Sequence, residues 1–159
     1  MGIYTADLCD QHSDKLDIVD NIFKLYGARR CFSGTIHTVK VLDDNVLVKE
    51  ALQTIPSGSV LVVDGGGSRN CALIGDNLAH IAVKRKLAGI IVNGCIRDSA
   101  QINEMDIGIY CIGTHPLKSI KRGKGERGIS IQFAGALFEP GAYLYADEDG
   151  IVLSQEALD

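Results

Sequence analysis

No stretch of this 159-residue chain approaches the roughly 20 consecutive apolar residues needed to cross a bilayer, so no membrane role is expected. The first seven residues lack both the basic start and the apolar core of a secretory signal. Five cysteines (Cys9, Cys31, Cys71, Cys95 and Cys111) are an odd number at unrelated spacings, so they form no disulfide framework and suit a reducing cytoplasm. An excess of basic residues is missing too. With a formal net charge of -4 the chain has no global attraction for phosphate backbones, and direct nucleic-acid binding is not expected. An apolar fraction of 46% and a charged fraction of 23% are those of a globular protein, and the length suits one domain spanning residues 1–159.

Several common motifs are absent as well. Gly65, Gly66 and Gly67 are not followed by the Gly-Lys-Ser/Thr ending of a phosphate-binding P-loop, and they complete no dinucleotide fingerprint. Cys9 and His12 stand three apart with no second pair at zinc-finger spacing, and His37, His80 and His115 fall in unrelated segments. Cys95 lies near Arg97, which could lower a thiol pKa, but no histidine nearby in sequence could serve as its base. A small buried residue at a strand end is the simpler reading of Cys95.

What is present is organised around residues 60–98. The run Val60, Leu61, Val62, Val63 reads as a strand buried on both faces, and it enters Asp64 and three glycines that can turn in any direction. Ala72, Leu73 and Ile74 then give way at Gly75 and Asp76 to a helical pattern carried by Leu78, Ile81, Ala82 and Leu87. A second buried strand, from Gly89 to Val92, leads through Asn93, Gly94, Cys95 and Ile96 to Arg97 and Asp98.

Elsewhere the patterns alternate. Ser13 can cap a helix bearing Leu16, Val19, Ile22, Phe23 and Tyr26 and ended by Gly27. Residues 35–41 read as a strand with one buried face, and Asn45 as the cap of a helix through Val46, Leu47, Ala51, Leu52 and Ile55. A short helix is expected over residues 99–105 and a strand over 107–113. Residues 129–133, 143–146 and 151–153 are strand-like, with Asp149-Gly150 as a hairpin signal. Residues 118–128 hold Lys118, Lys121, Arg122, Lys124 and Arg127 among three glycines, against one acid, Glu126. A mobile solvated loop is the plain reading; a lid whose cations attract dicarboxylates, or a docking patch for an acidic partner, are the functional ones. The whole is an α/β fold with a mixed sheet and a β-rich C-terminal part.

An isolated Arg-Asp pair is usually an exposed turn, but here spacing adds information. In a βαβ unit the start of a helix and the end of the following strand face the same sheet edge, where open α/β folds bind ligands. Backbone N–H groups at Gly75, Asp76, Asn77 and Leu78 and the Arg97 guanidinium can therefore converge on one anion. Asp98 adds a hard oxygen, and one carboxylate can hold magnesium or manganese when waters and a bidentate substrate complete the shell.

Gly75-Asp76, twenty residues, then Arg97-Asp98 resembles the signature of the 4-hydroxy-4-methyl-2-oxoglutarate aldolases, divalent-metal pyruvate aldolases. Residues 5–10, 62–67, 106–109 and 144–151 extend the likeness over nearly the whole chain, to the RraA-like family that also includes regulators of ribonuclease E activity. The resemblance implies a swivelling β/β/α (phosphohistidine-domain-like) fold, once misassigned to methylation in menaquinone synthesis, and homotrimers with active sites near subunit boundaries. It implies that Gly75, Asp76, Asn77 and Leu78 bind a pyruvyl carboxylate, that Arg97 binds its carboxylate and keto oxygen, and that Asp98 holds Mg2+ or Mn2+. Asp76 would order a metal-bound water, so Arg97 and Asp76 are the catalytic pair. The activity implied is cleavage of 4-hydroxy-4-methyl-2-oxoglutarate to pyruvate, with oxaloacetate decarboxylation through the same enolate. The alternative is a non-catalytic regulator that binds and inhibits ribonuclease E. The chain is short like the regulators but keeps the acid after the arginine, which favours intact chemistry. Lys40, Lys84 and Lys86 sit in ordinary strand or helix patterns and offer no Schiff-base lysine.

Overall fold

The two apolar runs lie side by side at the centre of a parallel sheet. The computed structural model describes residues 4–158; Met1, Gly2 and Ile3, part of the stretch read for a secretory signal, and Asp159 lie outside the described residues. In chain order the elements are α1 (Thr5–His12), β1 (Asp17–Ile18), β2 (Lys24–Tyr26), β3 (Phe32–Lys40), α2 (Val46–Thr54), β4 (Val60–Ile74), α3 (Asp76–Lys84) and β5 (Gly89–Ile96). They continue as α4 (Ser99–Ile102), β6 (Ile109–Thr114), β7 (Glu126–Arg127), β8 (Ile131–Phe133), β9 (Ala136–Phe138), β10 (Tyr143–Asp147) and β11 (Gly150–Ser154). The main sheet runs β1-β11-β10-β3-β4-β5-β6-β2, with β7 also on β3 and β8-β9 a separate hairpin. β3 to β6 are parallel, whereas β10, β11 and β1 are antiparallel, so β3 joins two kinds of sheet.

Alternation along the central strands explains three layers. Leu61 and Val63 of β4 and Ile90 and Val92 of β5 face α2 and α3, where Val48, Leu52, Ala79 and Ala82 close one core. Val60, Val62 and Ile91 face the other way, onto Phe32, Phe133, Phe138 and Leu144 of the β-rich part. Strands buried on both faces need apolar residues at every position, which is why these runs do not alternate with polar residues. Helices on one side and strands on the other make the swivelling β/β/α architecture.

Several local expectations are corrected. Residues 13–27 are not one amphipathic helix; only Ser13–Lys15 wind into a short 3-10 turn. Asp17 and Ile18 pair with Leu153 and Val152, and Lys24 to Tyr26 pair with Cys111 to Ile109, so this segment completes both ends of the sheet. Ile18 and Ile22 are 65% and 52% exposed, while Val19 and Phe23 are buried. Gly27, at φ +98°, ends a strand instead. The glycines after Asp64 do not end β4. Gly66 and Gly67 take φ of +68° and +70° in a bulged stretch, and pairing with β5 resumes from Ser68 to Ile74. Asn45 precedes α2, but its side chain donates to Leu73 O; Asp44 Oδ1 accepts the Val46 N–H at 3.1 Å in its place. The helix after Asp98 is one turn, and β9 is an additional strand. Asp147 pairs with Gly150, so the C-terminal hairpin turns at Glu148 and Asp149, one residue earlier than expected.

The basic segment is fastened down. Ile120 N–H donates to Asp43 O, Arg122 and Lys124 N–H donate to Asp44 Oδ2, and β7 pairs with β3. Arg127 bonds to Glu50 and Thr54 on α2. No described helix is long and apolar enough to cross a membrane.

Candidate active site

β4 ends at Ile74, and Gly75 turns the chain directly into α3. As at any helix start, the first N–H groups have no intrahelical acceptor. β5, the next strand of the βαβ unit, ends at Ile96, with Arg97 N–H donating to Ile74 O at 2.9 Å. That bond brings the two strand ends together, so the residue after each faces the same edge.

Asp98 then takes φ +59°, a left-handed conformation uncommon outside glycine and asparagine or aspartate, and caps the single turn of α4. The reversal carries its carboxylate back over α3, where Oδ2 accepts the Asp76 N–H at 3.0 Å. Gly75 makes this approach possible. A Cβ there would stand 2.8 Å from Asp98 Oδ2 and 3.3 Å from Cγ and Nε of Arg97, so the arginine side chain also runs alongside the glycine. The Arg97 guanidinium reaches the Pro116 carbonyl at 3.5 Å. Arg97 and Asp98 are each half-buried, as suits groups that must meet a ligand from solution.

All six residues singled out from the sequence, Gly75, Asp76, Asn77, Leu78, Arg97 and Asp98, line one cleft of about 600 Å³. The cleft has further walls, one from the start of α2, which the sequence did not mark as ligand-facing, and one from the basic segment, for which a lid that attracts dicarboxylates is one reading. Asn45, Val46 and Lys49 come from the start of α2, and Lys118, Ser119 and Lys121 from the basic segment. Isolated bridges from Lys118 to Ala72 and from Ile120 to Asp44 hold that segment against β4 and the start of α2. Lys121 Nζ donates to Asn45 Oδ1 at 2.9 Å. The run of basic residues was the only local signal for these groups; nothing local marks Ser119 or Asn45.

Lys49, Lys118 and Lys121 are exposed, so nothing desolvates an amine in the way a Schiff-base lysine requires. Cys95 is buried and its thiol is pushed up by that burial, which fits a packing role. Cys71 and Cys111 are likewise raised, to about 11 and about 12, mainly by burial. No group of three or more His, Cys, Asp or Glu side chains suited to a metal occurs among the described residues. The carboxylates that line the cleft are those of Asp98 and Asp76, a hard pair suited to magnesium or manganese and too few to enclose either.

The chain matches the RraA-like family (Aldolase/RraA) over residues 5–153. It is 56% identical over 154 residues to a Bacillus cereus protein named "Putative 4-hydroxy-4-methyl-2-oxoglutarate aldolase", covering 97% of each chain. An Arabidopsis thaliana protein bearing the same name with the number 3 is 48% identical over 159 residues, covering 97% of this chain and 96% of the other. Among solved structures, the RNA-processing inhibitor RraA of Thermus thermophilis superposes with a TM-score of 0.95 at 39% identity, over 100% of this chain and 96% of that one. A Geobacillus kaustophilus protein described as an S-adenosylmethionine: 2-dimethylmenaquinone methyltransferase gives 0.97 at 57% identity, over 98% and 97%. Those names divide among three activities, so the choice rests on the chemistry of the cleft.

Proposed function

Because this chain belongs to the RraA-like family, we propose that its cleft performs metal-dependent cleavage of 4-hydroxy-4-methyl-2-oxoglutarate to pyruvate, and decarboxylates oxaloacetate through the same enolate. The observation that carries this reading is the meeting of Arg97, Asp98 and the N-terminus of α3 in one cleft. Asp98, fixed by the Asp76 N–H, would hold Mg2+ or Mn2+, with Asp76 ordering water beside it. Such a dication would supply positive charge next to the substrate's keto oxygen.

The protein's own groups do the rest. The pyruvyl carboxylate meets the N–H groups at the start of α3 other than that of Asp76, which Asp98 holds, and the positive end of the helix dipole. Arg97 bridges that carboxylate and the keto oxygen with its planar fork. When the bond between C3 and C4 breaks, its electron pair moves into the pyruvate enolate, and the charge collects on the former keto oxygen. A guanidinium aimed there stabilises the transition state more than the ground state. The hydroxyl proton at C4 passes to water in the cleft, C4 becomes the carbonyl of the second product, and a proton from water returns to C3 of the enolate to give pyruvate. Oxaloacetate loses carbon dioxide to leave the same enolate, so one site serves both reactions.

Likeness to the Thermus RNA-processing inhibitor supports the second reading, a protein that binds ribonuclease E. An acidic regulator would meet arginine-rich RNA-binding regions with acidic surface, and the basic segment beside the cleft does not suit that contact. Coupled assays of pyruvate release from 4-hydroxy-4-methyl-2-oxoglutarate and of oxaloacetate decarboxylation, after chelation and after restoring Mg2+ or Mn2+, separate the two. The aldolase reading expects turnover that appears only with the metal. Tight binding to ribonuclease E without any turnover would reverse the ranking.

A further inference from the structure

Ser119 is 4% exposed, yet its hydroxyl has no hydrogen-bond partner, and no other buried side-chain N or O among the described residues is left so. An unsatisfied buried hydroxyl is costly to keep, so one retained in a cleft wall points to a ligand atom that completes it. Ser119 shares its cleft with Arg97 and Asp98. Two residues on, Lys121 is oriented by a relay in which Asn45 donates to Leu73 O and accepts from Lys121 Nζ. The charge balance points the same way. Lys49, Arg97, Lys118 and Lys121 line the cleft against Asp76 and Asp98, a surplus of two positive charges in a chain of net charge -4.

In the aldolase reading Arg97 and the start of α3 take one carboxylate, while Lys118, Ser119 and Lys121 bring to the same cleft two further cations and an unpartnered hydroxyl. We propose that Ser119 and Lys121, the latter positioned by Asn45, form a subsite for the distal carboxylate of the substrate, so that the cleft selects 2-oxo dicarboxylates over 2-oxo monocarboxylates. The inference rests on the aldolase reading and names its substrate class. In the cleavage the C3–C4 bond breaks, the pyruvyl half keeps the electron pair, and the distal carboxylate leaves with its charge unchanged. Its subsite therefore binds ground and transition states alike and acts on kcat/KM through KM. Oxaloacetate is one carbon shorter, and its distal carboxylate is itself the group that departs as neutral carbon dioxide. Cations that hold it stabilise the ground state and oppose the step.

The test compares wild type with Ser119→Ala and Lys121→Met in magnesium buffer. Calorimetry measures binding of 2-oxoglutarate and 2-oxobutanoate, two probes with the same 2-oxo acid head that differ in the distal carboxylate. Kinetics compare 4-hydroxy-4-methyl-2-oxoglutarate with 4-hydroxy-2-oxopentanoate, whose leaving half has no carboxylate. Wild type should prefer the dicarboxylate of each pair, and each variant should reduce that preference by roughly 10- to 10²-fold, the range for a hydrogen bond to a charged group. The ratio of decarboxylation to aldol cleavage should rise in Lys121→Met. Equal affinity of wild type for the two probes, or a parallel loss of both in the variants, overturns the subsite. A binding preference lost in the variants, with no cleavage by wild type, upholds the subsite and refutes the aldolase reading instead.

Discussion

At Gly75 the absence of a side chain is what lets the site form. A methyl group there would meet Asp98 Oδ2 at 2.8 Å. The obstacle is the free end of a flexible side chain, so Gly75→Ala should cost the fold only on the order of 1 kcal/mol while turning the carboxylate off the Asp76 N–H. Displacement of that size in a catalytic array can lower turnover by about 10²-fold. Melting temperature and turnover measured together check this, and a variant that keeps full activity would remove Gly75 from the account. Arg97→Lys keeps the charge but loses the fork, and turnover should fall by roughly 10²–10³, as for an oxyanion-hole donor. A change confined to KM would make Arg97 a binding group only. These residues were legible in the sequence because strand and helix order places both chain turns at one sheet edge, and because the spacing resembled a known signature. Ser119 and Asn45 were not legible, since long-range contacts alone bring them there.

Among the elements, the basic segment and α2 depend on one buried carboxylate. Asp44 Oδ1 accepts the Val46 N–H at the start of α2, and Oδ2 accepts the Arg122 and Lys124 N–H groups. Burial pushes the Asp44 carboxyl up, but the backbone donors of Val46, Lys124, Arg122 and Gly123 together outweigh it and hold it below its ordinary value. A depressed folded pKa means stability that is present above the unfolded value, about 4, and lost as pH falls through the folded one. Asp44→Ala should therefore cost about 2–3 kcal/mol at pH 7, and the gap to wild type should narrow below about pH 4. Urea melts at pH 7 and pH 3 measure it; an equal gap at both would contradict this role. The solvated-loop reading missed this anchoring because Asp44 lies far along the chain from the segment it holds. The helix expected over residues 13–27 failed for a related reason. Its three- and four-residue spacing is real, but β11 and β6 offered unpaired edges, and pairing there buries Val19 and Phe23 while leaving Ile18 and Ile22 outside.

For the molecule as a whole, the parallel core was the most legible part, because strands buried on both faces and amphipathic helices write their pattern locally. The β-rich layer was less so, since its short strands acquire meaning only from partners distant in sequence. Leu42, Leu117 and Ile120 remain exposed on and next to the segments that wall the cleft, which suits a contact between copies of this chain. We expect a closed homo-oligomer, most simply the trimer that the family resemblance implies. Light scattering should give a stable multiple of the 17.1 kDa chain, and an active monomer at low concentration would refute it. The central claim is that this cleft stabilises a pyruvate enolate through Arg97 and a dication at Asp98. Proton NMR of pyruvate in deuterated water tests it most directly, because enolate formation exchanges the methyl protons without any cleavage substrate. Wild-type protein with Mg2+ or Mn2+ should exchange them, and chelated protein or Asp98→Asn should not. Exchange that is absent from the metal-loaded wild type, or that persists undiminished in Asp98→Asn, would contradict the account.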